Sequence, residues 1–283
     1  MLDYYHSLKP FEKLFHSGVP ALTYHKLGPR PRGTRIKGLC LGEKFFARQL
    51  AELHAAGFKS QSLGEPLPRA GNPDRRVIFT FDDGFANVLK FGLGPLAANG
   101  FRAIQFIVAG RIGQADEWNR ADGEVLAPLM DAEQIKDWLA AGHQIGSHTL
   151  THPFLTRIPP AQAREEITAS KKKLEDLFGV EVGHFCYPYG DWNDGVRDMV
   201  SEAGYRTACT IGFGVNTSET PPHALLRFTA RYRTRNLRTL AADLRKSALL
   251  RQACFRRTTA QMPAKKRGTN APAAAPARVL SQS

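Results

Sequence analysis

The chain has 283 residues, 42% of them hydrophobic and 23% charged, enough for one large globular domain or two smaller ones. No apolar run approaches the roughly 20 residues that a transmembrane helix needs, and the opening MLDYYHSLKPFEKLFHSGVP lacks the basic-then-apolar order of a secretory signal. The net charge of +13 is local: from Arg227 onward there are 14 Lys/Arg against the single acid Asp243, whereas residues 1–226 carry 25 basic and 25 acidic residues. With the basicity confined to the tail and no nucleic-acid motif present, the sequence speaks against a nucleic-acid partner.

Taken in chain order, residues 1–18 form a lead segment, and VPALTYHKL (19–27) reads as a short apolar strand ending in a histidine. EKFFARQLAELHAAGF (43–58) has helical spacing, with Phe46, Leu50, Leu53 and Ala56 on one stripe and Gly57 as the stop. RVIFTF (76–81) is apolar throughout, as strands buried on both faces are, and it ends abruptly in Asp82-Asp83-Gly84. A helix over 86–99, a buried strand over 103–109 and a helix over 131–141 with Asp131 as N-cap follow. Next come a short strand over 143–147, a long charged helix over 161–178 closed by Gly179, a strand over 184–187, a helix over 196–203 and a strand over 207–211. Strands alternating with amphipathic helices from about residue 19 to 232 predict parallel β/α units, with strands inside, helices outside and the chemistry gathered at one set of strand ends.

Four stretches carry candidate chemistry. Asp82 and Asp83 end a buried strand, where two adjacent carboxylates are costly unless paired or bound to a metal; an ordinary Asp-Gly turn is the bland alternative. His148 and His152 in His-Thr-Leu-Thr-His can face one way on a helical turn and hold one ion, and with Asp83 they make a two-histidine, one-carboxylate set that leaves positions open for water and substrate. In FCYPYGDW (185–192), a strand runs into Pro/Gly turns with aromatics that could wall a sugar groove: Tyr187, Pro188 and Trp192. Tyr24-His25 closes the first strand, where a histidine is more often structural than catalytic. The four cysteines, Cys40, Cys186, Cys209 and Cys254, include no CxxC pair. They read as small, partly buried hydrophobes, reduced in a chain expected to be cytoplasmic or peripheral to the inner face of the membrane.

TFDDG (80–84), SHTLTH (147–152) and YPYG (187–190), in that order, resemble the polysaccharide deacetylases of carbohydrate esterase family four, the NodB-homology group. The likeness runs over about residues 19–232 and implies an α/β fold, a distorted, incomplete (β/α) barrel. It implies Asp82 as general base; Asp83, His148 and His152 as ligands of one divalent metal, usually zinc, sometimes cobalt or nickel; and the Tyr189 backbone N–H as an oxyanion donor. Two departures stand out. Many members have an Arg where this chain has Cys186, which leaves the orientation of the base to another residue, with Arg227 of LLRF (225–228) the candidate, and Arg227 is also a candidate substrate contact. No late Leu-x-His follows residue 223, whereas LTYHKL (22–27) is similar to the N-terminal Tyr-His element of the circularly permuted branch that includes poly-N-acetylglucosamine deacetylases, which implies His25 as general acid. The expected reaction is removal of acetyl from N-acetylated amino sugars in a polysaccharide, oligosaccharide or lipid-linked glycan. The alternative is hydrolysis of a non-sugar carbon–nitrogen bond on the same fold.

The domain is expected over 19–236. Beyond it, LRTLAADLRKSALLRQACFRR, within 237–260, has an apolar stripe of Leu237, Leu240, Ala241, Leu244 and Ala248 amid arginines. This helix either packs on the barrel or docks on an anionic membrane surface. Residues 261–283 are Pro/Ala-rich and basic, with little to bury, and read as disordered.

Overall fold

The computed structural model describes residues 4–232; the helix and tail read over 237–283, and the membrane contact that rests on them, lie outside the described residues. Among the described residues ten strands form one sheet, eight of them in a continuous parallel path, curled through 217° as a half-barrel with helices around it. β1 (Tyr4–Tyr5) and helix α1 (Glu12–His16) precede the apolar strand β2 (Val19–Tyr24). β3 (Lys26–Leu27) and β4 (Cys40–Leu41) pair in a small separate ladder. Then come α2 (Glu43–Ala55), β5 (Lys59–Ser60), β6 (Arg76–Phe81), α3 (Ala86–Ala98), β7 (Ile104–Ile107), α4 (Ala132–Ala140), β8 (Gln144–Ser147), α5 (Pro160–Phe178), β9 (His184–Cys186), α6 (Asp194–Glu202), β10 (Thr207–Cys209), β11 (Val215–Asn216) and β12 (Phe228–Ala230). The main sheet runs β1-β12-β2-β6-β7-β8-β9-β10, with β5 beside β6 and β11 antiparallel to β2.

The elements form for local reasons that the sequence carries. α4 starts at a full capping box: the Asp131 side chain accepts the Gln134 N–H, and the Gln134 side chain accepts the Asp131 N–H. α2 buries Phe46, Leu50 and Leu53 on one stripe. β2 and β6 are apolar along their lengths because both faces are covered, one by helices and the other by the barrel interior, where Val19, Ala21, Ile78, Ile104, Phe106, Cys186, Cys209 and Leu225 pack.

Two features differ from the sequence reading. The lead segment belongs to the barrel: β1 pairs with β12, and buried Tyr5, Phe11 and Phe15 pack on one another and, through Phe11 and Phe15, on Phe228. The 223–230 stretch, read only as a place for Arg227, touches both halves of the open sheet. Leu225 bridges Cys209 at the end of β10, and three residues later β12 joins β2. No helix among the described residues is long and apolar enough to cross a membrane.

Candidate active site

The strand register gathers the polar residues. Tyr24 sits opposite Phe81, Phe81 opposite Gln105, Ile107 opposite Ser147, and Ser147 opposite Phe185. His25, Asp82-Asp83, His148 and the Tyr187 turn each follow directly on one of these rows, so they surface together at the C-terminal rim of parallel strands, where such folds place their chemistry. The backbone is bent to aim them. Asp83, Thr149 and His152 all have left-handed φ, at 76°, 69° and 69°, a conformation that costs a non-glycine residue roughly 1–2 kcal/mol. Glu166 of α5 offsets this strain. Its buried carboxylate accepts the N–H groups of Leu150 and Thr151 at 2.9 Å and the Thr151 hydroxyl at 2.6 Å, while Thr149 Oγ1 accepts the His152 N–H at 3.0 Å. The two histidines therefore converge through a pinned loop and not through the helical turn that their spacing suggested.

Asp83 Oδ1 lies 3.4 Å from His148 Nε2 and 3.3 Å from His152 Nε2, with all three side chains buried. Their ligand atoms fall within 4.8 Å of one another. His148 Nδ1 donates to the Cys186 carbonyl at 2.7 Å, which orients the ring and turns Nε2 toward the centre, the support a ligating imidazole needs. Burial would push the Asp83 carboxyl up, but hydrogen bonds from His148 and His152 hold it well below the usual carboxylate range. This donor set fits a divalent ion of the zinc type. A second grouping of Asp82, His148 and Cys186 is equally compact but fits poorly. Burial pushes the Cys186 thiol up to about 11 against the pull of Arg227, so it stays protonated, and both Asp82 oxygens are taken.

What takes them is Arg227, itself 3% exposed. Its two terminal nitrogens donate to the two Asp82 oxygens at 2.8 Å each, a bidentate fork. Nε donates to the Thr210 carbonyl at 2.8 Å and Nη1 to Thr80 Oγ1 at 3.1 Å, while Nη2 lies 3.1 Å from Cys186 Sγ. Burial would push the Asp82 carboxyl up; the Arg227 charge and hydrogen bonds override it, with help from His25 and His148, and hold it below the ordinary carboxylate range. Asp82 is therefore ionised at neutral pH, with a carboxylate oxygen within 4.8 Å of a ring nitrogen of His148. His25 Nε2 stands 3.9 Å from Asp82 Oδ2. Burial lowers the His25 pKa, partly countered by Asp83 and Asp82.

Residues 69–208 match the family model described as polysaccharide deacetylase. The chain carries a polysaccharide deacetylase domain. YxkH of Bacillus subtilis, named for the same family, is 25% identical over 213 residues, covering 74% of this chain and 70% of its own. Chitin deacetylase 1 of Cryptococcus neoformans is 27% identical over 133 residues, which are 47% of this chain and only 25% of that one. Among solved structures, the Streptococcus pyogenes deacetylase PplD superposes with a TM-score of 0.64 at 20% identity, covering 76% of this chain and 92% of its own. IcaB from Ammonifex degensii does so with a TM-score of 0.64 at 23% identity, with the same two coverages. At these identities the structural likeness speaks for the fold.

Within the deacetylase domain, the remaining candidate residues divide. Tyr189 has left-handed φ of 58° at the tip of its turn, and its 38% exposed ring stacks on Phe154 at 3.8 Å and meets His152 edge-on at 4.5 Å. Gly190 behind it has φ 66° and lies so close to Ile211 that an added Cβ would come within 2.4 Å of Cγ1, which makes glycine necessary there. Tyr187 and Pro188 are not a groove wall. Both are buried, because Tyr187 packs edge-on to Phe185 and donates its hydroxyl to the His223 carbonyl at 3.0 Å. Trp192 lies against Tyr187 at 5.7 Å and is itself half-buried. Arg227 is likewise too buried to contact a substrate directly; it acts on Asp82. The residues that sequence reasoning missed are Glu166, which pins the histidine loop, and Trp118, whose ring stacks on His152 at 4.5 Å. In the sequence Glu166 is one charge among many in the 161–178 helix, and Trp118 closes GRIGQADEW (110–118), a stretch that shares the family likeness without pointing to a role.

Proposed function

We propose that the protein is a metal-dependent N-deacetylase that hydrolyses the acetamide of an N-acetylated amino sugar in a glycan, giving the free amine and acetate. The observation that carries this reading is the ionised, Arg-clamped Asp82 beside a buried Asp83/His148/His152 centre. An amide resists hydrolysis because its carbonyl is a weak electrophile and its amine a poor leaving group. A divalent ion held by Asp83, His148 and His152 would supply polarisation of the carbonyl and a more acidic water. Asp82, ionised and with both oxygens fixed by Arg227, accepts the proton of the attacking water. The Tyr189 N–H, at the tip of its strained turn, donates to the oxygen on which charge develops. His25, across from Asp82 at 3.9 Å, is the group placed to deliver a proton to the departing nitrogen once it is protonated. The names of the chitin deacetylase and of relatives that act on chito-oligosaccharides and peptidoglycan support a β-linked N-acetylglucosamine substrate class.

The test is acetate and free-amine release by the purified full-length chain on chito-oligomers, β-1,6-linked N-acetylglucosamine oligomers and lipid-linked N-acetylhexosamines, with cyclic amides alongside. Turnover of one of the sugars supports the proposal. Turnover of cyclic amides alone would transfer the site to non-sugar carbon–nitrogen hydrolysis.

A further inference from the structure

His148 and His152 reach the same centre with unlike supports. His148 is fixed through Nδ1 by the Cys186 carbonyl at 2.7 Å. His152 Nδ1 is buried and has no hydrogen-bond partner among the described residues. A ligating imidazole usually gives its second N–H to a carbonyl, carboxylate or water, and that bond sets both tautomer and ring orientation. His152 has rings in place of that bond. The indole of Trp118 stacks on it at 4.5 Å with the planes 21° apart, and the ring of Tyr189 meets it edge-on at 4.5 Å and 73°.

Trp118 is in turn held from below. It sits in the short helical turn Glu117–Asp122, directly after Asp116 and Glu117. Asp116 is fully buried; Oδ2 pairs with Lys26 Nζ at 2.9 Å, and Oδ1 accepts the Ala127 N–H at 2.5 Å. Lys26 is the residue after His25, and its ammonium lies 4.6 Å from the centre of the Phe85 ring. Both oxygens of the buried carboxylate are thus satisfied, the condition under which a buried pair is tolerated. The pair ties the turn that carries Trp118 to the strand end that carries His25.

The geometry points to Trp118 as the positioning residue of His152, a ring clamp in place of the missing hydrogen bond. The physical reason is electrostatic as well as steric. An imidazole that gives its Nε2 lone pair to a divalent ion becomes electron-poor, and the face of an indole is the negative part of its quadrupole. The stack is therefore stronger with the ion bound than without it, and by linkage whatever binds the loaded form better raises the affinity for the ion. Trp118 tightens metal binding without touching the metal.

The inference rests on the reading of Asp83, His148 and His152 as a metal centre, and the test separates the two. Zinc dissociation constants of the full-length wild type, Trp118→Leu and Trp118→Phe are measured by chelator competition, with the absorption spectrum of the cobalt-substituted proteins and the melting temperature of each metal-free form. Trp118→Leu is expected to lose about ten-fold or more in zinc affinity, the usual scale for loss of a residue that orients a ligand, and to show an altered cobalt spectrum at an unchanged metal-free melting temperature. Trp118→Phe, which keeps a stacking face, is expected to recover most of the affinity. Wild-type zinc affinity in Trp118→Leu would overturn the assignment, and so would equal losses in the two variants. A wild type that binds no zinc would overturn the metal centre itself, a different result.

Discussion

Replacing Arg227 tests the base most sharply, because its contacts separate charge from geometry. The guanidinium makes two 2.8 Å hydrogen bonds to Asp82 and one of 2.8 Å to the Thr210 carbonyl, all buried. Removing one partner of such a pair leaves an uncompensated buried charge and costs about 3–5 kcal/mol, a large part of the roughly 5–15 kcal/mol that holds a domain folded. Arg227→Met therefore should melt well below wild type. The carboxyl it leaves behind is still buried and has lost the charge that held it low, so its pKa rises. The base works only when ionised; the acid limb of kcat/KM, expected low in the wild type because Arg227 holds the Asp82 carboxyl down, moves to higher pH in the variant. Each unit of movement corresponds to about 1.4 kcal/mol withdrawn from ionised Asp82. Arg227→Lys keeps a positive charge but not the two-pronged fork. Its acid limb should stay nearer that of the wild type while the rate falls by about 10²-fold, the scale of an angstrom-sized misplacement of a reacting group. The assay is acetate release from a chito-oligomer between pH 4 and 9, with melting curves to separate unfolding from titration. If both variants keep the wild-type rate and the wild-type acid limb, Arg227 does not set the base.

Two further outcomes follow from the same geometry. His25→Ala should retain metal and fold but slow the reaction by about 10²–10⁴-fold, and the loss should shrink for a substrate with a better leaving group; equal losses on both substrates would assign the proton donor elsewhere. Gly146→Ala should destabilise the domain by about 1–3 kcal/mol, since the new Cβ would lie 2.6 Å from the Phe106 ring and 2.9 Å from the His184 carbonyl; an unchanged melting temperature would mean that β8 can shift to make room.

The sequence made the centre of this site legible because its residues terminate recognisable elements. An all-apolar run that stops at Asp82-Asp83 and a strand that stops at His148 announce strand ends, and parallel topology then brings strand ends together. The Asp131 cap and the Phe46/Leu50/Leu53 stripe were legible because caps and stripes are local. What escaped depends on partners far away in the chain. β12 is three residues long and follows directly on a buried arginine, so no apolar period marks it; its place is set by β2 on one side and by β1, from the far end of the chain, on the other. The spacing of His148 and His152 suggested a helical turn, yet the left-handed residues Thr149 and His152 fold the loop differently because Glu166, some fourteen residues on, accepts its N–H groups. The aromatics of YPYGDW looked like a groove wall because sequence does not say which face of a strand end is covered; Tyr187 turns inward and Tyr189 outward. Trp118 is far from His152 in sequence, and only the fold brings its ring against that histidine.

The central claim is that base and metal ligands are different residues of one hydrolytic site. The measurement that tests it most directly is metal content and acetate release determined together on wild type, Asp82→Asn and His148→Ala. The account expects one zinc-type ion per chain in the wild type and in Asp82→Asn, a rate lower by about 10²–10⁴-fold in Asp82→Asn, and loss of both metal and activity in His148→Ala. Near wild-type turnover in Asp82→Asn, or equal metal content in His148→Ala and wild type, would contradict it.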